Sequence, residues 1–591
     1  MQNAETVLGV LRERGSNGLP CNQLYRQLFN PQLYLLAYGR IYSNRGAMTP
    51  GATPETADGM SLDKIDRIID AVRHERYRFR PVRRVQIPKA DGRLRPLGVP
   101  TWSDKLVGEV VRLLLEAYYE PTFSPRSHGF RPGRGCHTAL REIANTWTGT
   151  TWFIEADISD CFGSLDHDVM ITILAEKIHD NRFLRLVRGM LTAGYLDDWQ
   201  WHTTLSGAPQ GGVVSPVLSN IYLHKLDEYV ETALIPQHTR GAYRKNNPAY
   251  AAVKRRLRRA RQRGDRDQVR NLMRQLRRMP SRDPHDPGYR RLRYSRYADD
   301  QLLGFTGPKA EAEQIKQQLT RFLRDELALE LHANKTLITH ARTQAARFLG
   351  YEITVHHSDS KIANGRRSAN GKIALRVPHE MIKAKRGVYL RHGKPWHRPT
   401  LFNYDDYQIV RTYGAEFRGV VQYYLLATDV WRLNALQWAA QASLLKTLAA
   451  KHQSTVTKMA ARHRATIATP HGPRTCYEAR VERNGKPALV ARFGGIPLKR
   501  TRDAVLIDEV PKPVIVPRSE LVARLLRGHC ELCEEPAKVV VHQVRRLASL
   551  DRPGTDQPAW AALMASKQRK TLVVCRGCHD TIHGRTTTTT A

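Results

Sequence analysis

Two adjacent carboxylates, Asp299 and Asp300, sit in the run Tyr297-Ala298-Asp299-Asp300, between two short segments with strand-like side chains and no proline. Acids so placed read as the tip of a tight hairpin, pushed out together at one edge of a sheet. Neighbouring like charges repel, and a bound cation relieves the cost. Magnesium is the usual hard partner for such oxygens. Alone, an Asp-Asp turn is no more than a solvated loop. Asp157 changes the reading, because it ends the apolar, extended run Trp152-Phe-Ile-Glu-Ala-Asp157, which breaks soon after at Gly163-Ser164. A third carboxylate on a neighbouring strand makes a divalent-cation site.

The end of the chain carries a second kind of chemistry. Cys530-Glu-Leu-Cys533 and Cys575-Arg-Gly-Cys578 are paired Cys-x-x-Cys motifs. Their thiolates make a zinc site of structural type. The gap between the pairs is longer than in small zinc ribbons, so other elements must lie inside it. His542 stands in the strand-like run Val539-Val-Val-His542-Gln543, and His579 and His583 lie one helical turn apart. Four of the chain's eight cysteines fall here, a distribution that suggests metal binding in a reducing compartment rather than a disulfide framework.

These groups need a large scaffold, and 591 residues with 41% hydrophobic content can bury several cores. The 94 Lys and Arg against 56 acids give a net charge of +38, which calls for a polyanionic partner. No apolar run reaches the length of a membrane span and no signal-peptide pattern opens the sequence, so nucleic acid is the partner the charge implies.

In chain order, residues 1–75 read as helices, with Leu24 to Ala37 amphipathic and Leu62 to Val72 following a break at Met48-Thr-Pro-Gly-Ala. Arg83 to Pro100 reads as two strands around an Asp-Gly turn, a hairpin with Lys89 and Arg95 near its tip. Asp104 to Tyr118 has helical periodicity, and Ser127 to Gly135 is a glycine-rich basic loop. Asp166 to Val187 reads as helical. The glycines of Ser206-Gly207-Ala-Pro209-Gln210-Gly211-Gly212 permit close backbone approach to a ligand, and an apolar helix runs from Ser215 through Leu226. Between His238 and Arg296 stand twenty Lys and Arg against four Asp. Ala249 to Met279 reads there as helical with a sparse apolar stripe, and carries Arg255, Arg256, Arg258 and Arg259. So one-signed a run repels itself without a counter-polyanion, which favours salt-sensitive contact with an RNA or DNA backbone over a solvated face. Glu311 to Leu327 is an amphipathic helix, residues 376–465 are helical and basic, and residues 466–520 are proline-rich and basic.

The segments around Asp157, Ser206–Asn220 and Tyr297–Asp300, in that order, resemble motifs A, B and C of reverse transcriptases. His332-Ala-Asn-Lys335-Thr336 matches motif D, and Phe348-Leu-Gly350 matches the motif that closes the palm. The pattern Ala37-Tyr38 to Thr49-Pro50-Gly51 resembles the N-terminal extension of group II intron-encoded proteins. Tyr413, Arg418-Gly419, Gln422-Tyr423-Tyr424 and Ser443 to His452 resemble their maturase domain, and the tail resembles an HNH nuclease ββα-metal site.

This resemblance implies an α+β right-hand polymerase, with fingers and palm over 76–365 interrupted by the basic insertion 237–292. It implies an RNA- or template-binding extension over 1–75, a helical thumb or maturase domain over 366–465, a linker or DNA-binding segment over 466–520 and a zinc-bound HNH-like module over 521–591. It places two magnesium ions on Asp157, Ile158, Asp299 and Asp300, to align a primer 3′-hydroxyl with a nucleotide α-phosphate. Lys89 and Arg95 would hold the triphosphate, Phe162 would exclude a ribose 2′-hydroxyl, Gln210 would contact the incoming nucleotide or its template base, and Lys335 would protonate pyrophosphate. Cys530, Cys533, Cys575 and Cys578 would hold structural zinc, and His542, His579 and His583 a further metal, with magnesium the candidate. HNH strands carry His-His, whereas here the pair is His542-Gln543. An amide accepts no proton near neutral pH, so the general base has no occupant.

The implied activity is RNA-directed DNA synthesis, assistance to intron RNA folding and splicing, and mobility of the intron into DNA. The implied partners are group II intron RNA, target DNA and deoxynucleoside triphosphates, in a bacterial cytoplasm close to the nucleoid, with a homodimer left open. Two other readings are a splicing cofactor that has lost polymerase chemistry, which the intact acids oppose, and a host reverse transcriptase serving defence or repair, which the maturase-like segment and the cysteine tail oppose.

Overall fold

The computed structural model describes residues 3–88, 92, 94–197, 200–202, 204, 206–207, 212–358, 362–363, 366–367, 370–483, 485–507, 520–547, 550 and 557–584. Its centre is an antiparallel four-stranded sheet in the order Arg291–Tyr297, Asp300–Thr306, Trp152–Asp157, Leu337–His340. Side chains alternate across a strand with a period of two. Ile154, Ala156, Leu303 and Phe305 therefore enter one core, with Leu218 and Ile221 of the helix Ser215–Tyr229 and Ile315, Leu319 and Leu323 of the helix Lys309–Leu327. Their sequence neighbours Phe153 and Leu302 enter a second core, with Trp147, Phe348, Tyr351 and the helix Asp406–Tyr423. Burial on both faces is why these strands read as apolar runs.

The hairpin Val82–Pro88 and Leu94–Val99 forms as its sequence implies, with Arg83 opposite Val99. Tyr195–Asp197 pairs with it in parallel and Gln200–His202 completes a second four-stranded sheet. The amphipathic reach from Leu24 to Ala37 is divided into Leu24–Gln27 and Pro31–Ile41. Asn30 accepts the Gln32 N–H and Pro31 has no N–H to continue the preceding helix, so the chain restarts there. The reach from Ala249 to Met279 is likewise a helical hairpin, Pro248–Gln262 and Arg266–Arg278. Gly264 at φ 73° reverses the chain, and Asp265 caps the second helix at the Gln268 N–H. Val253, Leu257, Ala260 and Leu272 give this hairpin a small core of its own.

Beyond the central sheet, the helices His379–Gly387, Asp406–Tyr423, Asn434–Lys451 and Val456–His463 pack together. The segment read as a linker from residue 466 begins differently. Arg464–Ile467, Arg474–Arg483 and Lys486–Gly494 form an antiparallel sheet on the helix Asp406–Tyr423. Gly414 lets that sheet close in, since a Cβ there would lie 2.2 Å from the Arg492 carbonyl oxygen. The proline-rich stretch Pro511 to Pro517 lies outside the described residues.

The C-terminal module comprises the strands Val539–Gln543 and Thr571–Cys575 with the helices Glu520–Arg527, Ala559–Ser566 and Arg576–Ile582. Its sheet takes a third strand from the other end of the chain, Met60–Ser61, paired antiparallel with Val540 and Val541. Leu521, Val522, Leu525 and Val541 share a core with Ile65, Ile69 and the N-terminal helices, so module and extension form one packed body. Among the described residues no helix is long and apolar enough to cross a membrane.

Candidate active site and metal centres

The sheet register places Asp157 directly opposite Asp300, and a two-residue turn, Ala298-Asp299, joins the paired strands. Ala298 holds φ 54°, a left-handed conformation costly for a side chain with a Cβ. Tertiary contacts fix it. The Arg296 guanidinium donates to the Ala298 carbonyl at 3.0 Å, and Gly129 packs so closely that a Cβ would lie 2.5 Å from the Ala298 nitrogen. Arg296 is fully buried behind the turn, where it pairs with Asp227 at 2.6 and 2.8 Å and donates to Asn220 and Ser127. Tyr294 also donates to Asp227, at 2.8 Å. The acidic hairpin is thereby bolted to the helix Ser215–Tyr229 and to the loop beginning at Ser127.

Burial pushes the Asp300 carboxyl up to about 7, with the Asp157 and Asp299 charges adding to it against a bond from the Leu349 amide. Burial raises Asp299 too, and the charges of Asp157 and Asp299 oppose each other, while Arg95 and Lys335 pull back. Asp299 and Asp300 are thereby favoured in their protonated forms unless a cation joins them. The Lys335 ammonium does so in part, at 2.5 Å from Asp157 Oδ2. The Ile158 side chain is buried, so its backbone carbonyl is what it could offer a metal. The bridge between Ile158 and Leu331 uses the Asp157 oxygen and the Ser159 nitrogen, and leaves that carbonyl out. Carboxylate oxygens are the hard donors that magnesium takes, so the residues present suit it.

Phe162 lies beside this edge, 6.2 Å from the Phe130 ring, on the short helix Cys161–Ser164. Gly207 is pressed against it, because a Cβ at its φ of 93° would lie 2.7 Å from the Phe162 carbonyl oxygen. Arg95 is exposed on the hairpin. Lys89 and Gln210 lie outside the described residues. Arg131, from the loop read as basic, is buried and turned inward on Glu120 and the carbonyls of Ser124 and Ser127. Arg255, Arg256, Arg258 and Arg259 are exposed on the helical hairpin, opposite its buried Val253 and Leu257.

The sequence reading missed the support behind Asp300. Tyr423 donates to the Leu349 carbonyl and Tyr424 to the Gly350 carbonyl, each at 2.9 Å, so the end of the helix Asp406–Tyr423 holds the loop whose amide meets Asp300. The clustered tyrosines were the available signal. They read as part of the maturase resemblance, with nothing to indicate the loop they grip.

In the C-terminal module the four thiols converge, with every ligand atom within 4.8 Å of the others. The Cys533 and Cys575 sulfurs are 3.9 Å apart, close to the ~3.8 Å edge that 2.3 Å zinc–sulfur bonds give a tetrahedron. The Cys533 and Cys578 amides donate to the Cys530 and Cys575 sulfurs. Burial works to raise the Cys530 thiol, and surrounding amides outweigh it, bringing it to about 7. The donor set fits zinc.

The three histidines converge as well, with ring centroids 4.6 to 5.7 Å apart, and a fourth residue joins them. Asp58, from the loop before Met60–Ser61, reaches His542 at 3.3 Å, His579 at 3.4 Å and His583 at 2.9 Å. Gln543 faces that loop: its amide donates to Asp58 and its side chain to the Tyr42 carbonyl, at 2.8 and 2.9 Å. Three imidazoles and one carboxylate are a poor match for magnesium, which prefers all-oxygen octahedral sites.

Comparison with known proteins covers most of the chain. Residues 87–353 match the reverse transcriptase (RNA-dependent DNA polymerase) family, 372–491 the type II intron maturase family and 530–579 the AI2M/AI1M-like HNH endonuclease family. The group II intron-encoded protein LtrA of Lactococcus lactis subsp. cremoris is 36% identical over 94% of this chain and 95% of its own length. The 91 kDa protein in the cob intron of Schizosaccharomyces pombe is 34% identical over 95% of this chain and 69% of its own length. The COX1/OXI3 intron 1 protein of Saccharomyces cerevisiae is 30% identical over 98% of this chain and 70% of its own length. These family matches, with a group II intron-encoded relative 36% identical over nearly its whole length, show that the chain belongs to the group II intron-encoded reverse transcriptase/maturase family.

Proposed function

We propose that Asp157, Asp299 and Asp300, with the Ile158 carbonyl, hold the divalent ions of DNA synthesis, and that the central sheet serves as a polymerase palm. The hairpin Val82–Val99 serves as fingers and the helices after His379 as thumb. The observation that carries this reading is the opposition of Asp157 and Asp300 across one register, with Asp299 in the adjoining turn. Two bound magnesium ions supply Lewis-acid activation of the primer hydroxyl and neutralise the α-phosphate. The protein's own groups do the rest. Arg95 and Lys89 bind the triphosphate, the Phe162 ring excludes a ribose 2′-hydroxyl, and Gln210 meets the base. Lys335, held at Asp157, delivers a proton to the leaving pyrophosphate.

The exposed arginines of the helical hairpin grip the backbone of intron RNA, and the C-terminal module binds target DNA for insertion of the intron. The particle works beside the bacterial nucleoid. The test is primer extension on an RNA template alongside assisted splicing. Asp299→Ala is expected to lower DNA synthesis about a thousandfold or more, the equivalent of several kcal/mol of transition-state charge stabilisation, with splicing retained. Splicing lost together with synthesis in a folded variant would overturn the separation of roles. Replacing Arg255, Arg256, Arg258 and Arg259 by Gln is expected to flatten the salt dependence of RNA binding, by a log–log slope of about 3 if each meets one phosphate.

A further inference from the structure

A single carboxylate from the opposite end of the chain closes the histidine cluster, and its surroundings are unusual for an ordinary ion pair. His542 is buried, and among the described residues neither of its ring nitrogens makes a hydrogen bond of good geometry. Its Nδ1 lies 3.3 Å from Asp58 Oδ1, near enough for attraction but outside hydrogen-bond geometry. A buried imidazole with no hydrogen-bond partner is costly, and metal ligation is one arrangement that relieves it. The spacings agree. Zinc bonds of 2.0–2.1 Å to nitrogen and oxygen, set tetrahedrally, leave donors about 3.3 Å apart. Asp58 Oδ1 lies 3.3 Å from His542 Nδ1 and 3.4 Å from His579 Nε2, and its Oδ2 lies 2.9 Å from His583 Nε2, so each histidine faces one carboxylate oxygen near this spacing. All four donors lie within 4.8 Å of one another.

We propose that Asp58 is the fourth protein ligand of a zinc-class ion held by His542, His579 and His583, so that the site is closed and staples the C-terminal module to the N-terminal extension. The inference rests on reading the three histidines as metal ligands. It adds the donor that completes them and the consequence of having it. Sites with four protein ligands are structural, whereas hydrolytic sites keep a position open for water or substrate. The same loop supplies the rest of the join. The Gly59 amide donates to the Val541 carbonyl at 2.9 Å, Met60 and Ser61 extend the module's sheet, and Gln543 binds Asp58 and Tyr42. While Asp58 is bound, no DNA phosphate reaches the ion. Withdrawal of the extension would open one coordination position and release the module in the same movement.

The test uses the full-length chain, stripped of metal and titrated with zinc, with bound metal counted by mass spectrometry. Cobalt substitution distinguishes the centres, because thiolate ligation gives strong charge-transfer absorption and the nitrogen–oxygen site does not. Two ions per chain are expected, one at the cysteines and one at the histidines. Asp58→Ala is expected to weaken the second ion at least tenfold and leave the first unchanged. Asp58→Asn, which keeps an acceptor for the Gln543 amide, controls for folding and is expected to weaken the ion likewise. Hydrogen exchange at Gly59–Ser61 should slow on zinc addition in the natural chain and not in either variant. A second ion lost in His542→Ala but held unchanged in both Asp58 variants would overturn the Asp58 assignment while leaving the histidine reading intact. A single ion per chain, unaffected by His542→Ala, would overturn both.

Discussion

The acidic hairpin and the histidine cluster are both built to gather ligands, yet they are assembled in opposite ways. Asp299 and Asp300 are neighbours, and Asp157 is brought to them by one pair of sheet strands. The histidines sit on one short module and are completed by Asp58 from the far end of the chain. The first site is crowded with like charge, exposed at one edge and buttressed from behind. The second balances one carboxylate against three imidazoles and takes its last donor from a docked segment. A local site stays open to a moving substrate because its support lies beneath it. A site whose last ligand is a distant segment is shut whenever that segment is in place.

The largest expected effect tests the buttress. Arg296 and Asp227 form a buried pair, and removing one partner of such a pair typically costs about 3–5 kcal/mol, because the other charge is left unpaired. Asp227→Asn is expected to lower the melting temperature and abolish primer extension, while zinc content at the C-terminal module stays unchanged. Loss of both together would mean that the two regions are one cooperative unit, and would break the comparison.

Much of the first site was legible because its information is local. Apolar runs free of proline indicated the strands, and the turn between them indicated the paired acids. Arg296 read as one more basic residue, since nothing in Arg-Tyr-Ala-Asp says that its side chain folds back under the turn onto Asp227. Asp58 gave no signal for the same reason: its partners are chosen by packing of the extension against the module, not by spacing. The helix break at Asn30-Pro31 and the reversal at Gly264-Asp265 were written in capping residues and overlooked in favour of a longer apolar stripe. The sheet over 464–494 was obscured by its basic composition, although Arg474–Arg483 is free of proline and long enough to pair.

A smaller effect distinguishes the sites by pH. Asp300 is raised to about 7 in the metal-free protein. A carboxyl raised in the fold contributes stability below its unfolded value near 3.8, and loses it as pH rises through about 7. The metal-free chain should therefore weaken between about pH 4 and 7 from this group, and magnesium should stabilise it more at pH 8 than at pH 6, where a proton must first leave. Thermal shifts with and without magnesium at the two pH values measure this, and Asp300→Asn should flatten the difference. An equal magnesium effect at both values in the natural chain would mean that the crowding of the acids is relieved without a metal.

The smallest expected effect belongs to Gln543, and there the expectation is that nothing is gained. An HNH-type strand would carry a histidine at this position to take a proton from water. An amide accepts none near neutral pH, and the Gln543 side chain is committed elsewhere, donating to the Tyr42 carbonyl where the module meets the extension. Gln543→His restores the residue type without restoring access, because Asp58 still occupies the face of the histidine cluster. The variant should cost about 1 kcal/mol for the lost hydrogen bond and cut duplex target DNA no better than the natural chain. Strand cleavage by the purified ribonucleoprotein is the measurement. Efficient bottom-strand cleavage by the natural sequence, abolished by His542→Ala, would show a working hydrolytic centre with another group as base, and would erase the contrast between an open acidic site and a closed histidine one. Cleavage gained by Gln543→His alone would show that the missing base, rather than the docked Asp58, is what keeps the module silent. The absence of both, with DNA binding retained, leaves the module as a clamp and assigns priming of DNA synthesis to a nick or fork made elsewhere.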